Sequence, residues 1–171
     1  MELRIRPATR HDLPAIVELL ADDPLGQTRE SPSDPAPYRA AFEAIDADPH
    51  QLLVVAEFAA GAGDDGGDGA GRTVAATMQL TFIPGLSRRG AWRAQVEGVR
   101  VAAAARGHGL GERLIRWAVD QARARGAALV QLTSDNSRPG AHRFYQRLGF
   151  VASHTGFKLD LRSEPAAAGT Q

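Results

Sequence analysis

The chain has 171 residues, a length that suits one globular domain. Hydrophobic residues make up 43% of it and its 20 basic and 20 acidic residues cancel, which excludes the composition of a disordered chain. Cysteine is absent, which excludes disulfides, thiolate metal sites and a cysteine nucleophile. The sequence contains neither an apolar run of about 18 residues nor a secretory signal, so we expect a cytoplasmic protein that does not enter a membrane.

The charges are unevenly distributed along the chain. Residues 1–70 contain 5 arginines and 14 acidic residues, whereas residues 86–125 contain 9 arginines and 3 acidic residues. This asymmetry indicates either ligand surfaces of opposite charge or solvated faces that simply differ. A nucleic-acid partner is not expected, because aromatic residues are only 6% of the chain and there is no net basic excess.

Hydrophobic periodicity and turn signals predict strands that alternate with helices. The predicted strands cover residues 3–5, 52–58, 73–83, 92–101 and 127–133, with one or two closing strands over 150–161. The predicted helices cover residues 13–20, 38–45, 110–125 and 139–148, and Thr9 with Asp12 predicts a capping box before the first. The order predicts one α/β domain over residues 1–163, a polar loop over 61–71 and a disordered tail over 164–171.

Three alternating glycines follow the fourth predicted strand. Gly107, Gly109 and Gly111 come after a five-residue link and open an amphipathic helix that begins at Leu110. Glycine lets backbone N–H groups approach a ligand, a helix N-terminus carries unpaired donors and partial positive charge, and Arg106 adds a cation. These features favour a pyrophosphate site. A plain tight turn is an open alternative, whereas a Rossmann loop requires Gly-x-Gly-x-x-Gly directly after the strand.

Residues 106–111, Arg-Gly-His-Gly-Leu-Gly, resemble the Arg/Gln-x-x-Gly-x-Gly/Ala signature of the GNAT superfamily of acyl-CoA-dependent N-acyltransferases. Residues 144–150, Phe-Tyr-Gln-Arg-Leu-Gly-Phe, are similar to that family's closing Phe-Tyr-x-x-x-Gly-Phe segment. Ala103 departs from the pattern because many members carry proline there, which would stiffen the link. The resemblance implies a single-domain mixed, splayed sheet of about six to seven strands flanked by about four helices.

The resemblance also implies acetyl-CoA as the co-substrate, with its pantetheine arm in the gap of the splayed sheet. Main-chain groups of Val99 and Val101 would contact the arm, and the backbone amides of residues 106–111 would contact the pyrophosphate. Asn136 follows the next strand and is expected either to bind the cofactor arm or to cap a helix. The predicted cofactor-binding residues are Val99, Arg100, Val101, Arg106, Gly107, His108, Gly109, Leu110, Gly111 and Asn136.

Glu97 is the candidate general base for direct attack of an amine on the bound acyl group. Strand alternation gives Glu97 the same parity as Val99 and Val101, so we expect its carboxylate to point into the same cleft. Partial desolvation there would make the carboxylate a better base. Gly98 permits a bulge that would shift this parity and turn the Val99 N–H toward the thioester oxygen. The alternative is a structural glutamate paired with a neighbouring arginine.

Tyr145 is the candidate general acid toward the departing thiolate, a role implied by its Phe-Tyr context within the resemblance. Its helical spacing with Ala141 and Leu148 is also that of a core residue, so packing is the alternative interpretation. The five histidines show no metal-ligand spacing, and we predict no metal.

The acceptor side is less well specified by the sequence. Four acidic residues lie between the first two helices, where they either attract a cationic amine or form a solvated loop; they are Asp22, Asp23, Glu30 and Asp34. The segment 82–92 mixes apolar with basic residues and borders either the acceptor or a homodimer contact. We therefore expect an N-acetyltransferase that acts on a primary amine of a small molecule or peptide. The alternative is a non-catalytic acyl-CoA-binding regulatory or scaffold module.

Overall fold

The computed structural model describes residues 3–22, 26–59 and 72–161. It divides the chain into two compact units, Met1–Leu132 and Thr133–Gln171, which are described separately below. The predicted loop 61–71, the predicted tail 164–171 and Asp23 lie outside the described residues. Within the described ranges, no helix has the length and apolar character needed to cross a membrane.

The described residues form five strands and five helices, which confirms the α/β class. In chain order they are β1 (Leu3–Pro7), α1 (Leu13–Ala21), α2 (Ala36–Ala47), β2 (Gln51–Ala59), β3 (Arg72–Ile83), α3 (Ser87–Gly90), β4 (Arg93–Val101), α4 (Leu110–Ala124), β5 (Leu129–Leu132) and α5 (Pro139–Arg147). The strand count among these residues is lower than the six to seven expected.

The five strands form one sheet in the order β1-β2-β3-β4-β5. Neighbouring strands from β1 to β4 are antiparallel, whereas β4 and β5 are parallel. The parallel pairing joins Arg93–Val96 to Leu129–Leu132 and ends there. Because β4 continues to Val101, its second half lies beyond the end of β5. We call this half, residues 97–101, the free half of β4. The splayed sheet expected from the resemblance thus corresponds to the end of the β4–β5 pairing at Val96 and Leu132.

The first two helices cover one face of β2. Leu53 and Val55 on that face pack in a cluster with Leu13 and Ile16 of α1 and with Phe42 of α2. Leu53 and Val55 both face the helices because residues two apart point to the same side of a strand.

The long helix α4 packs against β3, β4 and β5 through an apolar stripe. Its buried residues recur at helical spacing; they are Leu110, Leu114, Ile115, Ala118 and Ala122. Directly after the helix, the guanidinium carbon of Arg125 lies 4.2 Å from the ring centre of Phe82. A link of only eight residues separates Val101 from α4, so the glycine loop directly follows the free half of β4.

A buried ion network fixes the start of the chain to β2. The predicted capping box is confirmed, since the Thr9 N–H donates to Asp12 Oδ2 at 2.7 Å. Arg6 donates to Asp12 at 2.8 Å and to Glu57 at 3.0 Å, and Arg72 donates to Glu57 at 3.0 Å. Burial alone would raise the pKa of Asp12, but the hydrogen bonds from Arg6 and Thr9 lower it below its usual value.

The second unit contains α5 and an irregular segment. Residues 151–161 contain no strand, so the predicted closing strands over 150–161 are wrong for this structure. Four large apolar side chains of the segment are exposed; they are Val151, Phe157, Leu159 and Leu161. Their alternation is typical of a strand, but a strand also needs a hydrogen-bonded neighbour, and the described part of this unit contains none.

Candidate active site

A β-bulge interrupts β4 at the point where it leaves β5. On β3 only Met78 lies between the partners of Glu97 and Arg100, whereas β4 has both Gly98 and Val99 in that interval. The extra residue is accommodated by Gly98, whose φ of +61° belongs to the left-handed region that favours glycine. The predicted bulge is therefore confirmed.

The bulge reverses the alternation of side chains along β4. Glu97 pairs with Gln79 and Val101 pairs with Ala76, and residues three apart on β3 point to opposite faces. The expectation that Glu97 and Val101 share a face is therefore wrong, because the extra residue shifts the parity. Glu97 is also exposed rather than partly desolvated, since its strand has no β5 neighbour at that position.

Main-chain groups of Val99 and Val101 are expected to contact a pantetheine arm, and the carbonyl groups of both residues already accept hydrogen bonds from arginines. Arg100 Nη1 donates to the Val99 carbonyl at 2.9 Å, and Arg106 Nε donates to the Val101 carbonyl at 3.0 Å. A carbonyl oxygen has two lone pairs, so each can accept a second hydrogen bond. The arginines therefore do not close these carbonyl groups to a ligand.

The glycine loop has a backbone that only glycine adopts without strain. Gly107 has a φ of +81°, and Gly109, the N-terminal cap of α4, has a φ of +74°. A Cβ atom built on either residue meets no atom within 4 Å. The glycines are therefore required for backbone conformation rather than for close packing, and the space beside them is open to a ligand.

The same loop contains backbone N–H groups for which the described residues supply no backbone acceptor outside α4. These N–H groups belong to residues 107–111. The first turn of any α-helix lacks intrahelical acceptors and carries the positive end of the helix dipole. His108 is exposed and its Nδ1 lies 2.9 Å from the Arg106 carbonyl oxygen, so the ring contacts its own loop. The arrangement suits a diphosphate.

Arg106 also makes an ion pair that the sequence did not predict. Its Nη2 lies 2.9 Å from Asp22 Oδ2, and the two side chains are 55% and 51% exposed. Asp22 caps the C-terminal end of α1, 84 residues earlier in the chain. The first residue of the glycine loop is therefore joined to the segment that connects α1 with α2.

The other described acidic residues of that segment have local partners. Glu30 accepts a hydrogen bond from the Tyr38 hydroxyl at 2.9 Å, and Asp34 accepts one from the Ala36 N–H at 3.2 Å. The Ser31 N–H favours the ionised phenol of Tyr38, but burial and Glu30 together raise the pKa of Tyr38 above its usual value. These carboxylates contribute to the local structure of the segment, and their predicted contact with the acceptor stays a prediction.

Tyr145 and Asn136 belong to the second unit. The Tyr145 ring is 5.1 Å from the Phe144 ring and 5.8 Å from the Phe150 ring, centre to centre, in edge-on contacts. Asn136 is exposed in the turn before α5, where Asp135 accepts a hydrogen bond from the Ser137 N–H at 2.9 Å. The catalytic role of Tyr145 and the binding role of Asn136 stay predictions.

Two further predictions concern metals and the segment 82–92. In the ranges that the structure describes, no group of three or more histidine and acidic residues could hold a metal ion.

The segment 82–92 forms the β3–β4 connection, in which Leu86 is 99% exposed and Arg88 and Arg89 have left-handed φ angles of 55° and 61°. Its role at an acceptor or dimer contact stays a prediction.

Comparisons with known proteins cover most of the chain, and the family match includes the range of residues 106–111. The family model described as "Acetyltransferase (GNAT) family" matches residues 13–150. Glucosamine 6-phosphate N-acetyltransferase 1 of rice (Oryza sativa subsp. japonica) is 42% identical over 138 residues, which cover 75% of this chain and 73% of that protein. Aminoalkylphosphonate N-acetyltransferase of Salmonella typhimurium is 38% identical over 66 residues, 39% of this chain and less than half, 43%, of that protein.

A solved structure also matches nearly the whole chain. The crystal structure of a transcriptional regulator from Bacillus halodurans C-125 superimposes with a TM-score of 0.80 and 43% sequence identity. The match covers 93% of this chain and 99% of that one.

Proposed function

Because this chain belongs to the GNAT acetyltransferase family, we propose that it transfers an acetyl group from acetyl-CoA to a primary amine of a small-molecule acceptor. The observation that carries the proposal is the corner formed by the free half of β4 and the glycine loop that follows it. This corner combines an opening in the sheet with a cluster of backbone donors.

The glycine loop supports binding of the diphosphate of acetyl-CoA. Gly107 and Gly109 leave open space beside the loop, and the N–H groups of residues 107–111 supply hydrogen-bond donors. Arg106 adds a fork of charged donors once its guanidinium exchanges Asp22 for phosphate oxygens. The family uses acetyl-CoA as the source of an activated acyl group, and the chain's own residues hold and orient it.

The free half of β4 supports the chemistry of transfer. An amine must be neutral to attack the acyl carbon, so a base must take a proton from it. Glu97 is the first residue of β4 beyond the β5 pairing, and its exposed carboxylate is accessible to an acceptor. Loss of the acyl group leaves a thiolate that needs a proton, and we assign that donor role to Tyr145 from the family resemblance.

The relatives support a small acceptor rather than a macromolecule. Their names give glucosamine 6-phosphate and aminoalkylphosphonates as the molecules that are acetylated, and both are small amines. We therefore propose a small primary amine.

A second candidate is a regulator of the same fold that binds acetyl-CoA without turnover. The observation in its favour is the 43% identity with the Bacillus halodurans protein, which is described as a transcriptional regulator. The two candidates differ in one measurable property, which is amine-dependent release of free CoA.

The test is a thiol-release assay with acetyl-CoA and a panel of small amines. We expect amine-dependent release by the wild type and a fall in kcat of about 100-fold for Glu97→Gln, a usual loss for a general base. The matched control is Glu43→Gln, because Glu43 is 66% exposed on α2 and far along the chain from the loop. Binding of acetyl-CoA without release for any amine would favour the regulator and overturn the proposed activity.

A further inference from the structure

A row of polar side chains crosses four strands on the face of the sheet that carries Glu97. Gln51 of β2 pairs with Thr81 of β3, Thr81 pairs with Gln95 of β4, and Gln95 pairs with Gln131 of β5. Directly paired residues point to the same side of a sheet, so the four side chains form one continuous line. We call this line, Gln51, Thr81, Gln95 and Gln131, the amide row.

Hydrogen bonds within the face orient these amides. The Thr81 hydroxyl donates to Gln51 Oε1 at 2.8 Å, and Gln131 Nε2 donates to Gln95 Oε1 at 2.7 Å. Gln79 lies two residues before Thr81 on β3, and its Nε2 also donates to Gln51 Oε1 at 3.0 Å. The row lies on the face where α1 and α2 pack against Leu53 and Val55. Gln131 is exposed and the other four residues are half-buried, so the helices leave this part of the face accessible.

The amide row lies beside the candidate base. Gln79 is the cross-strand partner of Glu97. Gln95 precedes Glu97 by two residues on β4, before the bulge, so both side chains point to the same face about 7 Å apart. A small molecule that places an amine at Glu97 therefore extends over Gln79 and Gln95.

The internal hydrogen bonds leave donors and acceptors unused on both sides of the row. Among the described residues, these bonds engage neither the amide nitrogens of Gln51 and Gln95 nor the amide oxygens of Gln79 and Gln131. None of the unused glutamine atoms is among the buried side-chain atoms that lack a partner, so they are open to solvent, and a ligand would replace water there. The unused groups alternate between donor and acceptor, and a hydroxyl group can satisfy either kind.

The charges around Gln95 disfavour a polycation. Arg93 and Glu97 precede and follow Gln95 at two-residue intervals, so all three point to the same face. Glu97 balances the charge of a single ammonium group. A second ammonium group of a polyamine lying along β4 would approach the positive charge of Arg93, which repels it. The row itself is neutral.

On the basis of the proposed function, we propose that the amide row and Gln79 bind the hydroxyl groups of a polyhydroxylated acceptor amine and thereby hold its amino group at Glu97. Gln95 is the specificity-determining residue in the middle of this surface. An unsubstituted alkyl amine would leave the amides unpaired and bind more weakly.

The test compares two six-carbon amines, 1-amino-1-deoxyglucitol and hexylamine, with spermidine as a polycation. Ligand-observed NMR measures binding, and thiol release measures KM and kcat for each amine. We expect the aminoglucitol to bind the wild type at least about fivefold more tightly than either other amine, the ratio for one net hydrogen bond. Equal affinities, or a preference for spermidine, would overturn the proposal.

Two variants separate a binding role from a structural one. We expect Gln95→Met and Gln79→Met each to weaken aminoglucitol binding about fivefold while leaving hexylamine and acetyl-CoA affinity unchanged. The matched control Gln121→Met lies on α4 and should change none of them. Equal weakening of both amines would overturn the role of the row. Aminoglucitol preference without thiol release would instead refute the proposed activity and leave the binding surface intact.

Discussion

The guanidinium of Arg106 and the carboxylate of Asp22 form an ion pair of 2.9 Å between the glycine loop and the end of α1. Asp22 engages Nη2 of Arg106, one of the donors that the proposed phosphate site would use, and two anions cannot share that nitrogen fully. Under the proposed function, coenzyme binding and the α1–α2 connection are therefore coupled through Arg106. Binding of acetyl-CoA should release Asp22.

The first prediction concerns this competition. Asp22→Asn should raise the affinity for acetyl-CoA by up to about fivefold, because a half-exposed ion pair contributes at most about 1 kcal/mol. Asp120→Asn removes a comparable exposed partner, from Arg123 at 3.3 Å, and should leave the affinity unchanged. Calorimetric titration measures both; a weaker affinity for Asp22→Asn would show that the carboxylate supports the loop rather than competes with phosphate.

The second prediction concerns the bulge in β4. Gly98→Ala should lower the free energy of unfolding by about 1–2 kcal/mol, because the left-handed conformation disfavours a Cβ atom. It should also lower kcat, since relief of the strain reorients the backbone next to Glu97. Gly126→Ala carries similar strain at a φ of +71° after α4 and should lower stability without lowering kcat. A bulge without a catalytic role would give the two variants the same kcat.

The third prediction concerns acid stability. The pKa of Asp12 is lowered in the folded state, so its contribution to stability is complete above the unfolded value of about 3.9 and is lost as the pH falls through the folded value. Asp12→Asn should lower the free energy of unfolding at pH 7 by about 3 kcal/mol, because Arg6 loses a buried partner.

Urea unfolding between pH 3 and pH 7 measures this effect. The wild type should lose stability toward pH 3, and Asp12→Asn should lose less over the same range. Asp46→Asn is the control, because Asp46 is exposed on α2. Parallel pH profiles for the wild type and Asp12→Asn would exclude Asp12 as the source of the acid sensitivity.

The fourth prediction separates the two interpretations of Tyr145. If Tyr145 protonates the departing thiolate, Tyr145→Phe should lower kcat by about 100-fold. The variant keeps the ring and hence the edge-on contacts with Phe144 and Phe150, and thermal unfolding checks that the fold is retained. Thiol release measures kcat. An unchanged kcat would identify Tyr145 as a packing residue only.

Local features of the site could be predicted from the sequence because their causes are local. The glycines of the loop, the bulge at Gly98 and the capping box of Thr9 with Asp12 each depend on backbone conformation within a few residues. The strand pattern of 150–161 was misleading for a related reason. Alternation specifies which side chains share a face, but it does not supply a neighbouring strand.

Features that join distant segments could not be predicted in this way. The pair of Asp22 with Arg106 spans 84 positions, and the amide row depends on the register of four strands. A signal for the row was present in the sequence, since glutamines interrupt otherwise apolar strands at residues 51, 79, 95 and 131. Only the pairing shows that three of them lie in one line with Thr81.

Titration of acetyl-CoA into the wild type, Gly109→Glu and Gly126→Glu is the most direct measurement of coenzyme binding at the start of α4. Both glycines have left-handed φ angles and open space beside them, and they flank opposite ends of the helix. We expect Gly109→Glu to abolish measurable binding, because its carboxylate enters the space assigned to the diphosphate, and Gly126→Glu to bind like the wild type. Equal affinity for all three proteins would contradict the assignment of this loop.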